Sequence, residues 1–508
     1  MKSSKTIYSA ILIIMNFAFL SNVNGQQNVV GDFENQADIG NVLLKGSAEY
    51  KTNSQEYIMN GSGTNIWFNH DAFHFLYKKM KGDFILTASV EFTGKGVEQH
   101  RKLGWMIRQN LDSTAAHVSA VIHGDGLTSL QFRKAADTNM EEQKLTVSGP
   151  DIVQLERRGH DFIMSAAHFG EAFISEKISL ESFSDEVFVG LFLCSHNAGV
   201  IEKATFTNVR ITVPAKVDFV PYKDYIGSNI ETLDVESGKR LILYKEAKSL
   251  QAPNWSKDGK YLVYNCEGKL YHFDIEKKLP VLINTGFAQG NNNDHVLSFD
   301  GKMIGISDHT RDKDHNSIVY ILPVEGGDPR LVTINAPSYL HGWSPDGKFL
   351  TFTGARNNEF DIYKIPVTGG QEIRLTDAKG LDDGSEYSPD GNYIYFNSNR
   401  TGTMQIWRMK TDGSMQEQLT SGSLNNWFPH VSPDGKWVVF ISFPKEVDPG
   451  DHPFYKHVYL QIMPANGGTS KIIAYVYGGQ GSMNTPSWSP DSHKIAFISN
   501  TQQAGETK

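Results

Sequence analysis

One phrase recurs through the second half of this chain with small variations: NWSKDGKYLVY, LSFDGKMIGIS, WSPDGKFLTFT, YSPDGNYIYFN, VSPDGKWVVFI and WSPDSHKIAFI. Its turn aspartates are Asp258, Asp300, Asp346, Asp390, Asp434 and Asp491, so the spacing runs from 42 to 57 residues. Each copy sets Ser before a Pro-Asp-Gly type turn, in most copies followed by Lys, then a strand of alternating β-branched and aromatic residues such as Phe349, Leu350 and Phe352. Pro presets the turn dihedral and Gly tolerates positive φ, so the phrase forms a hairpin between two strands. Two further strands follow in each unit, for example residues 361–367 and 372–376. A four-stranded unit of this length cannot bury its own faces, and copies stacked around an axis make a β-propeller.

Two strands, residues 229–235 and 239–244, precede the first copy, whereas the last copy supplies only residues 488–499. Their complementarity predicts six blades, the last shared between the two halves so that no sheet edge stays open.

The phrase resembles the PD40 repeats of the TolB family, whose pattern WSPDGKxIAF it follows over about residues 219–500. The resemblance implies a six-bladed propeller and a role in the bacterial envelope. TolB proteins carry a small α/β domain at the N-terminal side, and this chain departs from them there. Residues 31–213 show only strand signals, at 84–92, 103–108, 117–123, 129–134, 152–157, 161–167, 187–193 and 204–212. Such strands with polar turns predict a β-sandwich. The order of GDFILTASVEF, VFVGLFLCSHN and ATFTNVRI resembles the concanavalin A-like lectin/glucanase superfamily, which implies a jelly-roll sandwich. The expected layout is all-β: a signal peptide (1–25), a concanavalin A-like sandwich (28–213), a linker (214–223), a TolB-like propeller (224–500) and a flexible tail (501–508).

The signal peptide rests on Lys2 and Lys5 ahead of an apolar run over 7–20, shorter than the roughly 20 residues of a membrane span. A periplasmic or secreted location is therefore expected, with no transmembrane segment in the mature chain. The formal charge of −9, more negative once residues 1–25 are set aside, argues against nucleic acid as a partner. Cys194 and Cys266 sit in apolar strands of different predicted domains, which predicts two buried thiols rather than a disulfide.

Function should lie on the propeller face with long polar connections: 291–294, 308–316, 381–384, 425–429, 444–455 and 476–484. Near the axis, His295, His341, Glu386 and His430 offer imidazole and carboxylate ligands for a divalent metal such as Mn, Zn, Fe or Ca. Oligogalacturonate lyases, another propeller family, hold a metal with histidines and a glutamine, and Gln480 suggests a similar set. His295 and His341 precede their turn aspartates by five residues and Glu386 and His430 by four, so their directions need not agree. Arg311, Arg356 and Arg400 recur 10 or 11 residues after the turn aspartate and could bind acidic sugars, or else pair with structural acids. Asn484 stands near the axis in the last unit. Residues 448–457, with His452, Phe454 and Tyr455, read as a lid or a plain surface loop. In the sandwich, Trp105, Arg108, His123 and Arg133 combine an aromatic platform with planar hydrogen-bonding groups, a sugar-binding composition.

No G-x-S-x-G motif occurs in the chain, which excludes a serine peptidase of the nucleophile-elbow type. Two readings remain. One is an exported protein binding carbohydrate or an envelope protein through the propeller loop face and the sandwich. The alternative is a metal-dependent lyase or hydrolase of acidic oligosaccharides, with His341 or His430 as catalytic residue and Arg356 or Arg400 neutralising the substrate.

Overall fold

A computed structural model describes residues 29–503, and the expected signal peptide lies outside them. The described residues contain strands and no α-helix. None of their elements is a helix long and apolar enough to cross a membrane.

Residues 29–212 form two antiparallel sheets. One runs in the order Asn35–Ile39, His70–Met80, Val187–Cys194, Lys102–Arg108, His117–His123, Thr128–Arg133 and Glu141–Lys144, with Asn65–Trp67 added beside His70–Met80. The other runs Ile174–Ser179, Asp161–Ala167, Ile152–Arg158, Phe84–Phe92, Asn197–Thr212, Glu56–Gly63 and Ser47–Lys51. Alternation along each strand sends one set of side chains between the sheets. Trp105, Val118, Leu130 and Leu191 of the first sheet meet Leu86, Leu155, Met164 and Phe206 of the second in one core.

Six further sheets follow. Five have four strands, beginning with Leu250–Trp255, Tyr261–Cys266, Lys269–Asp274 and Leu279–Leu282. In the sixth, Lys494–Asn500 pairs with Ser228–Asp234, which pairs with Arg240–Glu246, and a bridge from Trp488 to Ile495 continues it inward. The repeated turn is closed by the residues that the sequence repeats. Ser344 Oγ donates to Asp346 Oδ1 at 2.7 Å, and the same oxygen accepts from the Lys348 N–H at 3.1 Å. The pair recurs in all six copies, down to Ser489 and Asp491. In the last copy Ser492 replaces glycine and adopts the left-handed conformation, φ 63°.

The two halves are joined by buried polar contacts. Arg210 of the second sheet and Arg240 of the sixth blade both pair with Glu231, at 2.6 and 2.8 Å. Gln55 exchanges two hydrogen bonds with the backbone of Ile242, and Phe173 stacks on Tyr475 at 3.9 Å. Cys194 and Cys266 are free and buried, and burial pushes both thiols up to about 11.

Candidate functional site at the channel mouth

The innermost strands of the first five blades each break register once: between Gln251 and Asn254, Asn291 and His295, Leu340 and Gly342, Asp383 and Glu386, and Trp427 and His430. Such bulges re-aim side chains. Asp294 and His341 lie within two of these breaks, and Asp383 flanks a third.

These residues line a cavity of about 1580 Å³ at the axis, built from all six blades. Its walls include the amides of Gln251, Asn265, Asn292, Asn293, Gln480 and Asn484, and the rings of Tyr339, Phe360, Phe428 and Phe454. The segment between the two halves completes the enclosure with Phe219, Tyr222 and Tyr225. Tyr455 and Tyr477 hold that segment in place, accepting hydrogen bonds from the backbone N–H groups of Ile226 and Ala215. The 448–457 insertion therefore forms part of the wall through His452 and Phe454, while His457 faces Glu156 of the N-terminal unit at 3.3 Å.

The polar end of the cavity holds Asp294, His341 and Asp383. His341 Nε2 lies 2.9 Å from Asp383 Oδ1, which also accepts from Thr353 Oγ1 at 2.6 Å and the Gly384 N–H at 2.8 Å. Burial works against the charge of Asp383, but His341 and these donors outweigh it and hold the carboxyl down at about 2. Burial likewise opposes protonation of His341, yet Asp383 and Asp294 raise it above the ordinary imidazole value. Asp294 has weaker compensation, and burial pushes it up to about 6. His341 Nδ1 is buried without a hydrogen-bond partner. Two carboxyls driven apart around one imidazole form an arrangement able to hold or pass a proton.

The four expected metal ligands are not brought together. His430 Nδ1 lies 2.6 Å from Glu386 Oε2 and its Nε2 lies 3.1 Å from the Met483 carbonyl, a belt linking blades four to six. His295 Nε2 faces the Val263 carbonyl at 3.2 Å, and burial pushes this histidine down to about 4. Among the described residues, no three of these four groups converge closely enough for one ion. Only His341 lines the cavity.

The arginines are also occupied by structure. Arg356 forms a two-pronged pair with Glu372 at 3.0 and 3.1 Å, and Arg400 reaches Asp382 and Gln416, each at 2.6 Å. Arg311 stacks 3.4 Å above the Phe287 ring. In the N-terminal unit, Trp105 points into the core, on the opposite face from Arg108, His123 and Arg133. Arg108 and Arg133 clamp Asp71, and all three are sealed from solvent. The sugar site expected from these four residues is therefore not assembled. Gln480 and Asn484 do face the cavity, joined to one another at 3.1 Å. Asp294 and Asp383 went unrecognised in the sequence beyond belonging to polar connections.

Residues 336–449 match the family model of the TolB β-propeller domain, PD40. An uncharacterised protein of Agrobacterium fabrum is 46% identical over 272 residues, covering 53% of this chain and 92% of its own length. The chain belongs to the TolB-like PD40 propeller family. A TolB candidate solved from Agrobacterium tumefaciens is 45% identical, covers 55% of this TolB-like chain and all of its own, and superposes with a TM-score of 0.53. TolB from Acinetobacter baumannii is 16% identical over 65% of this chain and 80% of its own, with a TM-score of 0.39.

Proposed function

We propose that the protein is an exported envelope protein that binds an oligosaccharide at the mouth of its propeller channel. The observation carrying this reading is the cavity wall, where amide side chains of blades one, two and six share one space with aromatic rings of blades three and five. Amides match the paired donors and acceptors of sugar hydroxyls, and rings cover the apolar faces of pyranoses. The volume exceeds the roughly 300–1,000 Å³ of a drug-sized site, so several linked sugars fit. A concave site roofed in part by residues 216–226 suits a chain of sugars better than a protein surface. The carboxyls of Asp294 and Asp383 in its wall, and the engagement of Arg311, Arg356 and Arg400 elsewhere, favour neutral or amino sugars over uronic acids.

The same proposal includes a cleaved signal peptide, a periplasmic or secreted location, a jelly-roll sandwich of the concanavalin A-like kind over 28–213, and closure of the propeller ring through the pairing of Ser228–Asp234 with Lys494–Asn500. Titration calorimetry with neutral, amino and uronic oligosaccharides tests the binding. Tyr222→Ala, at an exposed ring on the rim, and Gln480→Ala are expected to weaken the best ligand about tenfold, the loss of roughly one good contact. Absence of binding by all three classes would overturn it.

A second reading, an enzyme acting on the bound sugar by acid–base chemistry, is favoured by the Asp294–His341–Asp383 set. It predicts product formation from the bound sugar, lost in Asp294→Asn while binding persists.

A further inference from the structure

We propose that His100, His123 and Asp125, in the N-terminal unit, form a binding site for a divalent transition metal, zinc being the natural probe. Their ligand atoms all lie within 4.8 Å of one another. Around a zinc ion with ligands at 2.0–2.2 Å, tetrahedral neighbours stand roughly 3.4 Å apart, so the group needs only a small closing motion. His100 is half-buried and Asp125 exposed, so both are free to make it, whereas His123 is anchored in its strand.

The backbone brings the three together. His123 ends the strand His117–His123 and Asp125 sits in the turn that follows. That turn is fastened to the segment carrying His100 by two hydrogen bonds, from Gly124 N to the Arg101 carbonyl and from Asp125 N to the Gln99 carbonyl, both 2.9 Å. The approach is close enough that a Cβ at Gly124 would meet Arg101 Cγ at 2.7 Å. Arg101 is itself locked by Glu202 at 2.6 Å. Asp125 Oδ1 accepts from the Leu127 N–H, leaving Oδ2 facing His100 Nδ1 at 3.8 Å.

A second observation points to a ligand. His123 is 94% buried, yet its Nδ1 has no hydrogen-bond partner. Its Nε2 lies 3.1 Å from the Gln131 side-chain nitrogen, and the Gln131 side-chain oxygen is buried without a partner; turning this amide over lets it accept from Nε2–H and leaves Nδ1 to the metal. His196, whose ring centre lies 5.6 Å from that of His100, also carries a buried Nδ1 without a partner and stands beside the site. The other cation nearby besides Arg101, Lys102, is tied to Asn65 Oδ1 at 2.7 Å and to the Ile66 carbonyl. Two imidazoles and one carboxylate suit zinc, iron or manganese rather than magnesium or calcium.

The test uses the full chain without an affinity tag, stripped with chelator and titrated with Zn²⁺ by calorimetry, with bound metal counted by elemental analysis. One equivalent is expected, with affinity falling at least tenfold in both His123→Asn and Asp125→Asn and unchanged in His493→Gln, an exposed histidine elsewhere. Co²⁺ in place of zinc should give visible absorption bands that the same two variants lose. Asp125 lies on an exposed turn, so its variant reports on metal even if His123→Asn folds poorly. No stoichiometric zinc, or equal binding by wild type and Asp125→Asn, would overturn the proposal, as would loss of binding in His493→Gln. None of these outcomes bears on oligosaccharide binding at the channel.

Discussion

Replacing Asp383 by Asn removes one negative charge from the channel without changing shape. The amide oxygen can still accept from Thr353 and Gly384, so the loss falls on the interaction with His341. Asp383 is held at about 2 against an ordinary 3.8, and at 1.36 kcal/mol per pH unit that difference is worth about 2 kcal/mol. The sign follows from both partners. A depressed carboxyl contributes stability above its unfolded value, near 3.8, and loses it as pH falls toward 2. A raised imidazole contributes below 6.5 and loses that stability as pH rises through its folded value. Both conditions hold between about pH 4 and 6.5, so Asp383→Asn should cost about 2 kcal/mol there and progressively less in alkali. With Asp383 neutral, burial dominates at His341 and its titration should move down. Denaturant unfolding at pH 5 and pH 9, with NMR of isotope-labelled histidines, measures both effects. An unmoved His341 midpoint, or an equal cost at the two pH values, would refute the coupling.

Two further outcomes concern the frame that holds the site. Glu231→Gln leaves Arg210 and Arg240 buried without their shared carboxylate, and breaking such a cluster should lower the unfolding free energy by about 3–5 kcal/mol; a cost below about 1 kcal/mol by denaturant titration would count against it. Ending the chain at residue 487 strips Lys494–Asn500 from Ser228–Asp234 and opens sheet edges on both sides, so cooperative melting should disappear; a sharp transition in the truncated protein would show that the ring does not depend on this pairing.

The propeller was legible because its defining contacts are local. Ser and Asp two residues apart close the turn within a single copy, so every blade needs the same residues, and even Ser492 can stand in for glycine by taking a positive φ. The N-terminal unit was legible in part. Phe84–Phe92 and His117–His123 appear where alternation placed them, whereas Asn35–Ile39 and Ser47–Lys51, short polar strands at the outer edges of their sheets, carry only two apolar positions each, too short an alternation to stand out.

The candidate site was much less legible, for a reason visible at His341. Counting back from a turn aspartate assumes an unbroken strand, and in the first five blades a bulge lies between the turn and the channel. The bulge of blade two lies beyond His295 and that of blade three contains His341, so these two, equal by count, end at a backbone carbonyl and in the cavity respectively. The regular arginines show the converse. Arg356 and Arg400 keep their spacing because each pins its own blade, to Glu372 and to Asp382. What recurs in a propeller is what every blade needs in order to stand; Asp294, His341 and Asp383 occur once each, where the repeat breaks, and a ligand at the axis meets those exceptions rather than the rule.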